Sequence, residues 1–281
     1  MSPLLPVRRS IYKSPAQLRA MIEPGLITAA ALDAVRALIA PGVTTLELDA
    51  AASAVITGRG AKSNFQMVRG YRHTICTSVN EQVVHGIPSG RVLEPGDIVS
   101  IDAGAEFEGW NGDSAFTVVV PDPSRSSLVE ERRDLSRVTE GSLWAGIAAL
   151  STARHLGEVG AAVQDYIDAS GHGYGILREY VGHGIGRKMH ESPSVFNYRT
   201  PDPGAEVRPG LAVAIEPMVV IGNQETFIED DDWTVSTLDG TAGSHWEHSV
   251  AVHDGGIWVL TAHDGGAAGL APFGVTPSEI A

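Results

Sequence analysis

Asp102 and Asp113 stand eleven residues apart in Val99–Val120, which reads VSIDAGAEFEGWNGDSAFTVVV. Val99, Ile101 and Ala103 alternate with Ser100, Asp102 and Gly104, and Ala115 to Val120 is strand-like again. Glu108-Gly109-Trp110-Asn111-Gly112 is the predicted turn between them. If paired residue numbers sum to 215, the two aspartates face each other, about 5 Å apart at Cβ. Carboxylates that close repel unless a cation lies between them. Alone, the pair fits edge-strand aspartates facing water equally well. Further groups favour the cation: His183 between two glycines, Glu216, and Glu247 at a strand start, with His85 and His190 as companions. Glu216 is the most telling. It follows the apolar run Leu211 to Ile215 and precedes Pro217, so it ends a buried strand, where an unpaired carboxylate is costly. Taken singly, His183 could bond backbone in a tight loop, and Glu247 could be a surface residue.

Four carboxylates and an imidazole suit a hard or borderline divalent ion. They carry too much charge for one typical zinc centre. They are enough to bridge two ions about 3.5–4 Å apart with a hydroxide between them, an arrangement that supports hydrolysis without naming a substrate. Other chemistries lack their residues. There is no GxSxG elbow, HExxH helix or Walker A loop. Gly171-His172-Gly173-Tyr174-Gly175 lacks dinucleotide-binding spacing, and Cys76 reads as a packed strand cysteine. As the only cysteine, it excludes an intrachain disulfide and a cysteine-based zinc module. The net charge of −14 argues against general phosphate attraction. Arg8, Arg9, Lys13 and Arg19 nevertheless make the start of the chain basic, as a solvated arm or a contact for an acidic surface. With no secretory-type apolar stretch and no apolar run of 18 residues, a cytoplasmic protein is expected.

The 281 residues, 43% hydrophobic, are enough for a substantial core. Residues 1–13 are expected to be an arm, 14–260 one catalytic domain, and 261–281 a loose tail rich in Gly and Ala. Ser14-Pro15-Ala16-Gln17 opens a helix with a capping box, which Pro24-Gly25 kinks or interrupts. A second capping box, Thr44 to Glu47, opens another helix that Gly58 and Gly60 end. Helices are expected over about 128–153 and 156–169, and strands over 74–79, 211–216, 246–252 and 257–260. Glu47, Leu48, Ala50 and Ile56 recur as Glu158, Val159, Ala161 and Ile167 at a constant offset of 111, hinting at two related halves around one sheet.

Several motifs carry a family resemblance: Thr77-Ser78-Val79-Asn80-Glu81, Val84-His85-Gly86-Ile87-Pro88, Ile101-Asp102-Ala103-Gly104 and Gly109-Trp110-Asn111-Gly112-Asp113. Glu179 to Gly186, Met189-His190-Glu191, Ile215-Glu216-Pro217 and Glu247-His248 complete the series. In this order and spacing the chain, from about Ser14 to Leu260, resembles the bacterial type I methionine aminopeptidases. The resemblance implies an α/β (α+β) pita-bread fold: pseudo-two-fold halves, a curved, mostly antiparallel sheet, and outer helices. It implies two divalent ions, of Co, Mn, Fe or Zn. Asp113, His183, Glu216 and Glu247 would bind one, and Asp102, Asp113 and Glu247 the other. It also implies removal of the initiator methionine from nascent proteins and peptides, with a small second residue favoured. Glu216 would carry the proton, His190 would stabilise oxygen charge, and His85 would contact the scissile nitrogen.

Phe65, Tyr71, Cys76, Met189 and Trp233 match the family's methionine pocket, or are simply core residues. The implied partners are N-terminal Met peptides and nascent chains, met by a monomer with no membrane or specific nucleic-acid site. A ribosome contact would fall to the basic arm, since no N-terminal cysteine/histidine zinc region precedes the domain. Asn111 stands where the family often has histidine, outside the ligand set. The absence of a large insertion between His183 and Glu216 favours type I over type II. The rivals are an Xaa-Pro aminopeptidase or prolidase of the same fold, which normally adds an N-terminal domain, and a non-catalytic binding protein on that fold.

Overall fold

The structure, a computed structural model, describes residues 10–281. Most of the expected arm, including Arg8 and Arg9, therefore lies outside the described residues. Its last residues lie against the body. The Lys13 N–H donates to the Gly210 carbonyl at 2.7 Å, and Lys13 Nζ pairs with Glu191 at 3.1 Å. Arg19 donates to the Ala281 carbonyl. Two of the four cations assigned to a basic start are thus engaged within the chain.

Helix α1 (Pro15–Ala20) begins at the expected capping box, with Ser14 and Gln17 exchanging side-chain and backbone hydrogen bonds. The break before α2 (Ile22–Leu38) falls at Met21 and not at Pro24-Gly25. Pro24 sits in the first turn of α2, where its missing N–H has no carbonyl to serve. Helix α3 (Thr45–Gly58) starts at the second capping box. Short strands β1 (Lys62–Ser63), β2 (Ile75–Val79) and β3 (Gln82–Val84) lead to the hairpin β4 (Ile98–Phe107) and β5 (Trp110–Val119). Helices α4 (Ser126–Leu150) and α5 (Leu156–Ala169) follow, then strands β6 (Gly175–Ile176), β7 (Gly182–Gly184) and β8 (Glu191–Val195). The second half continues with β9 (Ala212–Ile215), β10 (Met218–Val220), β11 (Thr226–Ile228) and β12 (Val235–Thr237). It closes with β13 (Gly243–His245), β14 (Glu247–His253), β15 (Gly256–Val259) and α6 (Ala267–Leu270).

Nine strands form one antiparallel sheet whose spine runs β1-β4-β5-β14-β9-β7-β8, with β2 on β4 and β15 on β14. This is the expected mixed fold, with helices packed on the sheet. The 111-residue echo holds in three dimensions. Helices α3 and α5 have bounds offset by 111, and Glu47 and Glu158 each accept from the backbone N–H three residues earlier. Those two capped positions, Thr44 and His155, each form an isolated antiparallel bridge. The segment after Leu260 is not loose. Leu270 is fully buried in the main core, and His253 Nε2 lies 2.7 Å from the Ser278 carbonyl.

Glycines let α2 press on the β4–β5 hairpin. A Cβ at Gly112 would sit 2.7 Å from the Gly25 Cα, and one at Gly25 would sit 2.3 Å from the Leu260 carbonyl oxygen. Backbone on both sides leaves nothing flexible to move aside. Gly25→Ala is expected to cost about 1–3 kcal/mol by overpacking, read as a lower urea midpoint. An unchanged midpoint would show that the contact yields freely.

Candidate active site

The hairpin register differs from expectation. Paired numbers sum to 217, so Asp102 faces Ala115 and Asp113 faces Gly104. The turn is only Glu108-Gly109, both left-handed (φ 50° and 77°), as a two-residue type I′ connection requires. Trp110, Asn111 and Gly112, expected in the turn, extend β5 instead. Arg187 lies 3.9 Å over the Trp110 ring, and Asn111 donates to the Gly186 carbonyl through its backbone and side chain. The aspartates become diagonal neighbours on one face, within mutual reach but not opposed.

The other candidate residues join that face through the register. Cys76 pairs with Asp102, Asp102 with Ala115, and Ala115 with Glu247. His248 pairs with Ile215, which puts Glu216, one residue past β9, beside Glu247. Side chains of one such row share a face. His183, on β7, reaches the same cluster, with Nε2 3.3 Å from Glu216 Oε1. Ligand atoms of Asp113, His183 and Glu247 all lie within 4.8 Å of one another. Asp102 and Glu216 stand outside that tightest triad but line the same cavity, of about 140 Å³.

His85, His190 and all five expected pocket residues line this cavity too. Phe65, Tyr71, Cys76 and Met189 make a separate apolar cluster with Trp233 against it. Tyr71 meets Trp233 edge-on at 5.0 Å, and its hydroxyl donates to the Ile75 carbonyl at 2.7 Å. His85 takes a left-handed backbone (φ 62°), with Gly86 locked on both sides: its N–H donates to Ser78 Oγ and its carbonyl accepts from Thr77. A Cβ at Gly86 would meet the Thr77 carbonyl at 2.2 Å. His190 stands 4.4 Å from the His183 ring, centre to centre.

The profile of metallopeptidase family M24 matches residues 19–254. The chain belongs to metallopeptidase family M24. It is 44% identical over 254 residues to methionine aminopeptidase 1 of Mycobacterium tuberculosis, spanning 89% of this chain and 94% of that protein. The methionine aminopeptidase of Escherichia coli K12 is 36% identical, over 89% of this chain and 92% of its own length. The crystal structure of methionine aminopeptidase from Thermotoga maritima superposes with a TM-score of 0.84 at 36% identity, covering 90% of this chain and 99% of that one. Prolidase from Pyrococcus furiosus shares the fold at TM-score 0.69 and 21% identity, with only 65% of its length covered. Among the described residues no helix is long and apolar enough to cross a membrane.

The carboxylates of this M24 site can all be ionised together only with a cation beside them. Asp102 Oδ1, Asp113 Oδ1, Glu216 Oε1 and Glu247 Oε1 are buried with no hydrogen-bond partner. Burial raises all four carboxyls above their usual range. Neighbouring carboxylates push Asp113, Glu216 and Glu247 up further. Burial holds the His183 imidazole down at about 4, so it is neutral. Its Nδ1–H donates to the Gly184 carbonyl at 3.0 Å, leaving a lone pair on the Nε2 that faces Glu216. Lone pair against carboxylate is the polarity of a metal site, and the residues fit divalent ions. His85 is likewise held down to about 4, chiefly by burial, and burial lowers His190. Both are neutral imidazoles, able to donate or accept.

Val68 and Val84 also line the cavity and were not expected from sequence. Their signal was adjacency: Val84 precedes His85, and Val68 closes the short turn begun by Phe65. Because an ion relieves the crowding, Mn²⁺ added to chelated enzyme at about 100 times its Kd should stabilise the fold by about 2.7 kcal/mol. Calorimetry would show this as a rise in Tm that shrinks in Asp113→Ala. A Tm indifferent to the ion would remove the metal reading.

Proposed function

We propose that this chain hydrolyses the first peptide bond of proteins and peptides that begin with methionine and carry a free amine. The observation behind this is a wall of buried carboxylates with unpartnered oxygens beside an apolar pocket edged by Tyr71, Cys76, Met189 and Trp233. Relatives named methionine aminopeptidase, matched over nearly their whole length, support it. The metal-holding residues would be Asp102, Asp113, His183, Glu216 and Glu247, with Asp113 and Glu247 shared between two ions. Bound ions would supply Lewis-acid polarisation and would make a water easier to deprotonate near neutral pH.

The chain's own groups do the rest. The thioether enters the apolar pocket, where a polarizable sulfur packs well against aromatic edges. Glu216 accepts the proton of the attacking water and returns it to the leaving amine. His190 hydrogen-bonds the oxygen that gains charge at the tetrahedral centre. His85 holds the scissile nitrogen, and its locked loop crowds the next subsite, which favours a small second residue. We place this activity in the cytoplasm, where nascent chains carry their initiator methionine, with the protein acting as a monomer. A ribosome contact would rest on Arg8 and Arg9, since Lys13 pairs with Glu191.

The deciding experiment titrates chelated enzyme with Mn, Co, Fe or Zn against Met-Gly-x and x-Pro-y peptides. Metal-dependent release of methionine alone is expected. Cleavage before proline would move the chain to the prolidase side of the fold, and no hydrolysis with any ion would leave a binding protein. Glu216→Gln should keep the fold and lose at least about a hundredfold in kcat, the usual contribution of a positioned proton carrier. Near-normal turnover by the metal-loaded variant would remove Glu216 from that role.

A further inference from the structure

The connection from β7 to β8 runs from Ile185 to His190, since Gly184 pairs with Glu191 across the hairpin. It carries two residues that line the cavity, Met189 and His190. Its first part is held to the β4–β5 hairpin. The Gly186 carbonyl accepts from Asn111, and Arg187 lies over Trp110 and donates to the Glu108 and Gly109 carbonyls. Its last residue is not held by burial of its own side chain, because His190 is exposed where it lines the cavity. The place of His190 therefore follows from its neighbours: Met189, packed in the apolar cluster, and Glu191.

Glu191 is fixed by a cation from far away in the chain. Lys13 Nζ donates to Glu191 Oε2 at 3.1 Å, while Oε1 accepts from the Lys188 N–H at 3.0 Å. The Lys13 side chain is only 7% exposed and that of Glu191 25%. In a pair this sheltered, removing one partner leaves a desolvated charge that must move to find another. The pair packs where Gly186 has no side chain. A Cβ there would lie 2.7 Å from Lys13 Cε and 3.0 Å from Glu191 Oε2. Lys13 is itself seated. Its N–H donates to the Gly210 carbonyl at 2.7 Å, and the Tyr12 hydroxyl donates to the Glu206 carbonyl at 2.8 Å, with the Arg208 guanidinium over the Tyr12 ring. The segment before α1 is thus a strap from residues 206–210 to the residue that follows His190.

We propose that Lys13 is a positioning residue for His190: through Glu191 it sets where the imidazole stands against the oxygen that gains charge at the tetrahedral centre. The inference rests on the role given to His190 above. Lys13 is not among the residues that line the cavity. It acts through the peptide bond that joins His190 to Glu191. A displaced acting group weakens the transition state more than substrate binding, so its loss falls on kcat.

The test compares Lys13→Met with wild type, both loaded with Mn²⁺, in hydrolysis of Met-Gly-x. Methionine keeps a stem over Gly186 and removes the charge. kcat should fall about tenfold or more, since displacing an acting group by about 1 Å can cost about a hundredfold. KM and Mn²⁺ affinity should stay within about twofold of wild type. Glu191→Gln keeps an acceptor for the Lys188 N–H and removes the opposite charge. It should match Lys13→Met, and it carries the comparison if Lys13→Met does not fold. The deciding readout is a double-mutant cycle with His190→Ala. In that background either variant should change kcat by less than about twofold, because the group it places is gone. Losses that multiply would show that the pair braces something other than His190. Loss of Mn²⁺ affinity would place its effect at the carboxylates, and an unchanged kcat would show that the loop stands without it. Each of these overturns the proposal. A wild-type enzyme that leaves Met-Gly-x intact would instead overturn the functional reading on which it rests.

Discussion

Four carboxylates buried on one face of an antiparallel sheet are the constraint around which this molecule is built. In water each would cost nothing. Inside the fold each loses its hydration, and together they repel. The sheet imposes this because its strands are aligned so that Asp102, Glu247 and Glu216 fall in one row, with Asp113 diagonal to it. The cost is accepted at one place, and there the protein holds its imidazoles neutral and aims an unprotonated nitrogen at the carboxylates.

The supports behind this face explain how the crowding is tolerated. The Ser249 hydroxyl accepts from the Asp113 N–H at 3.1 Å and lies 2.7 Å from the Asp113 carbonyl, and Ser114 Oγ donates to the Glu247 carbonyl at 2.6 Å. Thr261, in the segment after β15, lies 2.8 Å from His248 Nδ1 and accepts from the Ser249 N–H. The backbone under two crowded carboxylates is therefore pinned, by Ser249 from their own face and by Ser114 from the opposite face of the sheet. The C-terminal segment takes part in this, which is why it packs where its composition suggested a loose tail.

Much of the site was legible because its chemistry sits in residues whose settings are odd. A glutamate between an apolar strand and a proline, or a histidine between glycines, has few inexpensive explanations. The capping boxes were legible for a similar reason, since Ser14 and Gln17, or Thr44 and Glu47, satisfy backbone donors that any helix start exposes. The hairpin register was not legible. It depends on Glu108 adopting a left-handed backbone, which glutamate signals far less than glycine, and on Arg187 and Gly186 holding Trp110 and Asn111 in the strand. The place of Asn64 was invisible too, because its amide packs where a glycine of a different strand, Gly104, leaves room for it.

The matching bounds of α3 and α5, offset by 111 residues, mark two halves of common plan. Asp102 and Asp113 belong to the first half; His183, Glu216 and Glu247 belong to the second. Neither half holds all five candidate residues, and within the main sheet the two halves meet where β14 pairs with β5. An ion seated there would clasp the seam, and the set of donors is complete only where the two halves have docked.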